Sequence, residues 1–480
     1  MSKKNGINLD PLFYPESIAV IGASPNVIRD RAGFFYSLKE CYKGKLYAVN
    51  PKYNDIDGVP CFPNIKDVPE NLDYAIIMLP REKVRDVLKD CVSAGVKFVL
   101  VFTSGFSEMG EYRLEEELLE IIRGRKTRIV GPNCIGPHCP ERGLAYYAQL
   151  HRDVVGEVGF FSQSGGHALN FTIRGLSLGL NFNKVISLGN QADLKIEDFL
   201  EYFGQDDRVK FICGYVEDVK DGERFKKIVR NIVLERGKPL VLWKGGRSAD
   251  GARATSSHTG AVAVPTKVWD SVMDQLGVIN VESQNELADV MVALKLGFKP
   301  RGKNVVVAVA GGGSSVELTD GVSLNGLFVP SLAEGIQKKI GADISSVNTS
   351  TNNPIDLGMF GFAPNIFANS MALAAEDPNI DIVMGCQYPE MVKAMAPEAW
   401  DASVNILVEG IAKVGKPTAM ILPRIYENSP EAECARAEFI EKLREVNIPA
   451  FPSAARMAST AVKIQKYLDF MEKHGAEVSF

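Results

Sequence analysis

The sequence lacks any apolar run long enough to cross a membrane, which takes about 18 consecutive apolar residues. Its first ten residues, MSKKNGINLD, contain no apolar core of a secretory signal. Cysteine is scarce, with 8 in 480 residues, and the cysteines are scattered along the chain. This spacing excludes a disulfide framework and indicates reduced thiols. We therefore expect a cytoplasmic protein with no membrane contact.

An excess of positive charge is also missing. The formal net charge of -5 argues against a nucleic-acid-binding surface. Only one small group suggests a metal site: Cys134, His138 and Cys139 offer three ligands, and no fourth lies nearby. We predict no metal site there. The apolar content of 46% supports ordinary hydrophobic cores, and the length corresponds to roughly three domains.

Short apolar runs alternate with helix-length polar segments along the chain, the pattern of parallel sheets covered by helices. The runs fall into three series, and the third begins after a basic linker at 299–304. They predict strands at 18–22, 46–49, 74–79, 98–102 and 129–131, then at 158–161, 185–188, 211–216, 240–243 and 278–281, and finally at 305–310, 380–384, 418–422 and 448–451. We predict an α/β fold with a Rossmann-like domain at 1–145 and two flavodoxin-like domains at 146–298 and 299–480.

The first predicted domain has the outline of a nucleotide site. The turn at Gly22 follows the first strand, where folds of this class bind phosphate at a helix N-terminus. The dinucleotide fingerprint needs three glycines, and this turn supplies only Gly22, with Gly33 far downstream; Lys52 follows the second strand in place of a ribose-binding acid. Lysine favours a phosphorylated ribose, so coenzyme A fits better than NAD. A Rossmann domain that binds nothing and an NAD-dependent dehydrogenase are the alternatives.

One histidine, His258, lies in a stretch of Gly, Ala, Ser and Thr that follows a predicted buried strand. Because this stretch has almost no large side chains, we expect a mobile loop. Lys244, Arg247 and Arg253 would attract phosphate to it. A neutral imidazole is a nucleophile toward phosphoryl groups, and a mobile loop would let it reach two sites. An ordinary surface histidine is the alternative.

Polar residues follow the predicted strands of the second and third series. Glu217 ends a strand where a buried carboxylate would accept the second N–H of an imidazole, although a solvated surface glutamate is the alternative. Two glycine-rich turns lead into predicted helices whose N-termini would hold an anion, and two such termini facing one histidine would stabilise a phosphohistidine. Plain strand–helix connections are the alternative. The candidate phosphate and acyl residues are Ser162, Gln163, Ser164, Gly165, Gly166, Gly312, Gly313 and Ser314.

Several motifs then occur in order over roughly residues 15 to 455. Four motifs resemble those of the CoA-binding domain of NDP-forming acyl-CoA synthetases: Gly22-Ala-Ser24, Val49-Asn-Pro-Lys52, Thr103-Ser-Gly-Phe-Ser-Glu108 and Gly131-Pro-Asn-Cys134. Six further motifs resemble those of the later domains of these enzymes: Phe161-Ser-Gln-Ser-Gly-Gly166, Ser187-Leu-Gly-Asn190, Gly214-Tyr-Val-Glu217, Ser257-His-Thr-Gly260, Gly311-Gly-Gly313 with Asp320, and Asn353-Pro-Ile-Asp356. The chain resembles the α subunit of an ADP-forming acetyl-CoA or acyl-CoA synthetase, a relative of succinyl-CoA synthetase.

This resemblance implies an acid–thiol ligase that interconverts acyl-CoA, ADP and phosphate with the acid, CoA and ATP. It implies an acyl phosphate intermediate, a phosphohistidine at His258 and an orienting role for Glu217. It places CoA contacts at Gly22, Ala23, Ser24, Asn50, Pro51, Lys52, Pro80, Thr103, Ser104, Asn133 and Cys134. No paired base is evident for Cys134, so that thiol need not be a nucleophile. A non-catalytic CoA-binding regulatory subunit is the alternative function.

Nothing in the sequence resembles an ATP-grasp domain, the fold that holds nucleotide and Mg²⁺ in this family. We therefore expect a partner β subunit that supplies it, and the resemblance implies an α2β2 heterotetramer. Two features depart from the family pattern. The third-series turn begins at Ala310 where relatives often have Asn, and His167 stands where a small apolar residue is usual. The first puts that turn's phosphate contacts in doubt, and the second suggests an altered acyl pocket.

Overall fold

The computed structural model describes residues 7–25, 34–259 and 265–480, without the side chains of 256–259. Each strand predicted from the sequence is present, with its ends displaced by a few residues. The strands are β1 (Ser17–Ile21), β2 (Lys45–Val49), β3 (Asp55–Ile56), β4 (Val59–Phe62), β5 (Tyr74–Ile77), β6 (Phe98–Val101), β7 (Arg128–Val130), β8 (Gly136–His138), β9 (Val158–Ser162), β10 (Phe182–Ser187), β11 (Phe211–Val216), β12 (Leu240–Lys244), β13 (Ile279–Val281), β14 (Val305–Val309), β15 (Ile355–Asp356), β16 (Ile382–Cys386), β17 (Thr418–Ile421) and β18 (Ala450–Phe451).

Helices fill most of the connections between these strands. The described α-helices are α1 (Asp10–Phe13), α2 (Phe34–Cys41), α3 (Arg81–Ser93), α4 (Tyr112–Ile122), α5 (Gly165–Ser177), α6 (Ile196–Gln205), α7 (Gly222–Arg230), α8 (Ala249–Thr259), α9 (Thr266–Leu276), α10 (Gln284–Lys295), α11 (Gly312–Ser323), α12 (Glu334–Ile340), α13 (Pro364–Ala375), α14 (Pro389–Met395), α15 (Trp400–Ile411), α16 (Pro430–Glu445) and α17 (Ala454–Lys473). Among the described residues, no helix has the length and apolar character needed to cross a membrane.

The first sheet has the order β3-β4-β2-β1-β5-β6-β7, and its strands are parallel except for β3. With β4 as its third strand, this is the 3-2-1-4-5-6 order of a Rossmann fold. Strands β1, β5 and β6 are buried along their whole length, which explains their continuous apolar runs. The chain runs outward from β1 through β2 to β4 and then crosses back to β5, so the turns that follow the neighbouring strands β1 and β5 lie beside a crevice where such folds bind ligands.

The second sheet has the order β13-β12-β11-β9-β10-β8. Strands β9 to β13 are parallel in the 2-1-3-4-5 order of a flavodoxin-like fold, and β8 adds an antiparallel edge strand beside β10. Strand β8 was missed because its sequence, Gly-Pro-His, has low strand propensity. It comes from the end of the segment predicted as the first domain, so the chain passes from the first sheet directly into the second.

The third sheet, β15-β14-β16-β17-β18, is parallel and has the same 2-1-3-4-5 order. Its core includes Val306, Phe367 and Met420, which are fully buried. The described chain divides into two compact units, one of residues 1–288 with 476–479 and one of 289–475 with 480. The first two sheets therefore share one unit. The division into three domains at 145 and 298 stays a prediction.

Candidate functional site

The turns that follow β1 and β2 lie at the carboxyl edge of the first sheet. Gly22 has φ +93°, and a Cβ there would approach the carbonyl oxygen of Met78 to 2.7 Å. Only glycine fits this turn without strain. The Asn50 side-chain amide donates to the carbonyl oxygen of Ala23 at 2.8 Å, which ties the two turns together. Lys52 follows on an exposed turn, where its ammonium group faces solvent.

The turns that follow β5, β6 and β7 reach the same edge. Pro80 caps helix α3, and the Thr103 hydroxyl donates to the carbonyl oxygen of Leu79 at 2.6 Å. The backbone N–H of Asn133 donates to the carbonyl oxygen of Thr103 at 3.1 Å. The predicted CoA residues thus lie along one edge, close to one another, with Ser104 exposed beside Thr103.

The turn at Asn133 and Cys134 contacts a turn of the second sheet through backbone hydrogen bonding. Asn133 has φ +60°, and the N–H of Asn190 donates to the carbonyl oxygen of Pro132 at 3.0 Å. A Cβ on Gly189 would come within 2.2 Å of that same carbonyl oxygen, so this contact also requires glycine. The sequence motifs contained both turns but carried no sign that they interlock.

Ile135 connects this turn to the glycine-rich turn of the second sheet. Its N–H donates to the Ser187 hydroxyl at 3.3 Å, and its side chain lies 3.4 Å from where a Cβ on Gly165 would be. The predicted CoA and phosphate turns are therefore brought together at the start of helix α5. Ile135 was not a predicted site residue, because an isoleucine that follows a strand gives no chemical signal.

Cys134 is buried at this junction, and burial raises the pKa of its thiol to about 12. The thiol therefore stays protonated near neutral pH, in line with the absence of a paired base. His138 is also buried, and desolvation lowers its pKa to about 4. Among the described residues, no group of three or more His, Cys, Asp or Glu side chains is arranged to hold a metal ion.

The glycine-rich turn that precedes α5 is built by two serines. The Ser162 hydroxyl, fully buried, donates to the carbonyl oxygen of Ser164 at 2.7 Å and accepts from its N–H at 3.1 Å. Ser164 caps the helix by accepting from the N–H of His167 at 3.3 Å. Gly165 and Gly166 begin the helix, where N–H groups have no partner within the helix.

Gln163 links this turn to the turn that contains Glu217. Its side-chain oxygen accepts from the N–H groups of Glu217 and Asp218, the latter at 2.9 Å, and its side-chain nitrogen donates to the Asp218 carbonyl oxygen at 2.8 Å. Both polar atoms of the buried Gln163 amide are therefore hydrogen-bonded to the backbone of this turn. Its contribution is to hold Glu217 against the start of α5.

Glu217 is 6% exposed, which excludes the alternative of a solvated surface glutamate. Its carboxylate oxygen Oε2 is buried and has no hydrogen-bond partner among the described residues. The Lys244 ammonium group donates to the Glu217 backbone carbonyl at 2.9 Å, and burial lowers the pKa of Lys244. A buried carboxylate oxygen without a donor is costly, so Glu217 is placed to accept one from a ligand or another side chain.

The segment that contains His258 corrects one expectation. Residues 249–259, expected as a loop, form helix α8, which packs against the 3₁₀ turn Ser107–Met109 of the first sheet. The missed signal is an N-cap: the Ser248 hydroxyl accepts from the Gly251 N–H at 3.0 Å. The His258 backbone lies near the end of α8, and its side chain lies outside the described residues.

The cations expected to attract phosphate are engaged within the protein. Arg247 pairs with Asp270 at 2.9 Å and with Glu282 at 3.3 Å. Arg253, on the exposed side of α8, pairs with Asp250 at 2.6 Å. The described structure therefore gives Arg247 a role in fastening the start of this segment to the second sheet.

An aromatic cluster next to Glu217 was not predicted as part of the site. The rings of His167, Tyr215 and Trp243 are in mutual contact, with centroid separations of 4.5 to 4.6 Å. Tyr215 and Trp243 are register partners on β11 and β12. Burial and the charge of Glu217 raise the pKa of Tyr215. Register between strands, which the sequence does not display, brings these rings together.

The third-sheet turn belongs to the other compact unit. The N–H of Gly311 donates to the Asp356 carboxylate at 2.9 Å, and that carboxylate also lies beside Gly312. The Ser314 hydroxyl is 2.8 Å from the hydroxyl of Tyr388. Gly313 is exposed and has open space around it. A carboxylate therefore shares the N-terminus of α11 with any anion that binds there.

Comparison with known proteins matches this architecture. Residues 16–140 match the family described as a CoA binding domain, and residues 155–294 match the succinyl-CoA ligase-like flavodoxin domain. The first sheet and the first flavodoxin-like sheet thus have the two folds predicted from the sequence. The class of protein is that of α/β enzymes built from these two domains.

The family follows from longer matches. The chain is 32% identical to the α subunit of acetate–CoA ligase (ADP-forming) I from Pyrococcus furiosus over 98% of this chain and 99% of that subunit. It therefore belongs to the ADP-forming acetate–CoA ligase family. A structure of dinucleotide-forming acetyl-coenzyme A synthetase 1 from Ca. Korarchaeum cryptofilum, in complex with phosphate and ADP, matches with a TM-score of 0.81 and 30% identity over 98% of this chain and 99% of that chain.

Some relatives are longer than this chain. Acetate–CoA ligase (ADP-forming) I of Archaeoglobus fulgidus is 34% identical over 383 residues, which is 79% of this chain and 55% of that enzyme. The chain thus spans about half the length of this relative.

Proposed function

We propose that this chain is the α subunit of an ADP-forming acyl-CoA synthetase that works through an acyl phosphate and a phosphohistidine at His258. The observation that carries the proposal is the junction at Ile135. It holds the turn of Asn133 and Cys134 against Gly165, at the start of α5, while Gln163 holds Glu217 beside the same turn. A CoA thiol, a phosphate and an imidazole can meet at such a junction.

Coenzyme A binds along the carboxyl edge of the first sheet, with its phosphates near the Gly22 and Lys52 turns and its thiol end near Asn133. The match to a CoA-binding domain over residues 16–140 supports this assignment. The burial of Cys134 supports an uncharged thiol that shapes the acyl pocket and forms no covalent intermediate.

In the direction of acid formation, an oxygen of phosphate attacks the thioester carbonyl, the C–S bond breaks, and CoA leaves as the thiol. The acyl phosphate then loses its phosphoryl group to an imidazole nitrogen of His258, and the carboxylate leaves. The N–H groups of Gly165 and Gly166 and the dipole of α5 stabilise the phosphoryl oxygens.

Glu217 positions the attacking imidazole. Its unpartnered Oε2 accepts the second imidazole N–H, which fixes the tautomer and makes the other nitrogen the better nucleophile. The phosphohistidine then passes its phosphoryl group to ADP, which is held with Mg²⁺ by an ATP-grasp β subunit. The name of the Pyrococcus relative as an α subunit supports a β partner, and a heterotetramer of two α and two β chains is proposed from the same resemblance.

Phosphoryl labelling tests this function. The full chain, incubated with an ATP-grasp β subunit of this family and γ-labelled ATP, should acquire an acid-labile and base-stable label. The His258→Asn variant should acquire none. Equal labelling of that variant would contradict the proposal, and a chain that binds CoA but is never labelled would support the regulatory-subunit alternative.

A further inference from the structure

His167 is held in place at the start of the helix that would bind the phosphoryl group. It is the third residue of α5, two residues after Gly165, and its ring lies against those of Tyr215 and Trp243. Contacts with two rings leave the imidazole little freedom to change rotamer. The position of this side chain is therefore defined before any ligand arrives.

The two ring nitrogens of His167 nevertheless remain available for hydrogen bonds to a ligand. His167 is half-buried, and its ring nitrogens have no hydrogen-bond partner in the part of the chain that the structure describes. Its backbone N–H alone is used locally, in the helix cap formed by Ser164. A polar ring that is fixed, reachable and unpartnered is suited to bind a ligand.

The two faces of the turn point toward different neighbours. Gly165 faces Ile135 and Ser187, on the side where CoA and the acyl group arrive. His167 faces Tyr215 and Trp243, on the side of Glu217. The imidazole thus lies on the side of the phosphoryl acceptor, away from the acyl side suggested by the sequence.

The charges around His167 favour a neutral ring in the absence of ligand. Burial lowers its pKa, and the nearby Glu217 carboxylate, in the turn that follows β11, opposes this only in part. Lys244 on β12 is a cation whose ammonium group is bonded to the Glu217 carbonyl oxygen, and the Tyr215 hydroxyl stays protonated. The positive end of the α5 dipole also disfavours an imidazolium. A phosphoryl dianion would reverse this balance and favour the protonated ring.

We propose that His167 donates a hydrogen bond to the phosphoryl group at the N-terminus of α5 and so positions the acyl phosphate for transfer to His258. This inference rests on the proposed function and assigns that site a residue that departs from the family pattern. The direction in which this hydrogen bond depends on pH follows from the charge of the imidazole. Because the dianion raises the His167 pKa, the added binding is present at low pH and is lost as the pH rises through the pKa of the complex.

The test uses the full chain and labelled acetyl phosphate as the phosphoryl donor, with the rate of His258 labelling measured between pH 5.5 and 8.5. His167→Phe keeps the ring contacts and removes both nitrogens, so labelling at low pH should fall about tenfold or more. His167→Gln keeps a donor that does not titrate, so it should recover part of the rate. The ratio of wild-type to His167→Phe labelling should be largest at low pH and should fall toward one as the pH rises; because His258 must be neutral in both proteins, its own titration cancels in this ratio. Thermal melting checks that each variant is folded.

The outcomes separate the two proposals. Wild type that labels, with His167→Phe equal to it at every pH, would overturn the role of His167 and leave the proposed function standing. The same holds if His167→Phe labels normally but changes preference among acyl-CoA donors, because the ring would then lie on the acyl side. Wild type that never labels would overturn the proposed function, and this inference with it.

Discussion

At the scale of single residues, the polar side chains of the candidate site hold the neighbouring turns in place through hydrogen bonds. Gln163 uses its whole amide to fix the turn of Glu217, and Ser162 uses its hydroxyl to shape the turn at Ser164. These residues were predicted as phosphate ligands, and that role stays a prediction. Their observed contacts fix the position of Glu217 and leave its carboxylate oxygen Oε2 without a hydrogen-bond donor among the described residues.

Glu217→Gln should fold normally and slow phosphorylation of His258 by about 10²-fold, because the imidazole loses a charged orienting partner. Its backbone N–H, which holds the turn through Gln163, is unchanged. Single-turnover labelling measures the rate. Glu223→Gln is the control, since Glu223 is exposed on α7 and pairs with Lys226 on the surface of the same helix. A near wild-type rate in Glu217→Gln would remove this carboxylate from the mechanism.

Lys52→Met should weaken CoA binding and narrow the preference for CoA over dephospho-CoA, because the exposed ammonium group would contact the 3'-phosphate. Calorimetry at two salt concentrations measures this, and the wild-type affinity should fall with salt. Lys89→Met, which removes an exposed lysine on α3, is the control. NAD that binds the wild type as tightly as CoA would contradict the assignment.

At the scale of elements, the register of the second sheet decides which side chains meet. Ser162 ends β9, and its register partner Tyr215 on β11 is in turn the register partner of Trp243, each being the last residue but one of its strand. Because parallel strands end at one edge, the residues that follow them converge there. Helix α8 is the element that sequence reasoning misjudged. Small residues were taken for a loop, although Ala and Arg favour helices and Ser248 supplies a cap.

Ser248→Ala should loosen the start of α8 by about 1 kcal/mol, since the Gly251 N–H loses its acceptor. Hydrogen exchange of the amides in 249–255 should then be about fivefold faster. Ser93→Ala is the control, because the Ser93 hydroxyl lies at the exposed end of α3 and donates to the Lys89 carbonyl oxygen within the same helix. Exchange in α8 unchanged by Ser248→Ala would show that packing alone holds this helix.

At the scale of the whole molecule, the first two sheets form one compact unit and the third sheet lies in the other. The unit that contains Glu217 and the backbone of His258 also contains the predicted CoA turns. The residues to which the proposed function assigns acyl phosphate formation and phosphoryl acceptance thus belong to one unit. The same proposal assigns the nucleotide step to a β subunit.

The purified chain should therefore give no sustained release of CoA from acetyl-CoA in the presence of ADP, phosphate and Mg²⁺, and at most one equivalent of CoA per chain. Addition of an ATP-grasp β subunit from this family should give turnover, because phosphoryl transfer to ADP requires the nucleotide and metal to be held in line with the histidine nitrogen. The His258→Asn chain with the same partner is the control and should stay inactive. Robust turnover by the chain alone would show that it contains its own nucleotide site.

The sequence by itself determined the fold class and the positions of the turns at strand ends, because apolar runs of strand length and glycines at turns are local properties. The continuous run of Val305–Val309 predicts a strand wherever it is placed. Only the tertiary structure decided the contact between Ile135 and Gly165, the aromatic cluster around His167 and the unpartnered oxygen of Glu217. Each depends on residues far apart in the chain, and on a sheet order and register that no local pattern encodes.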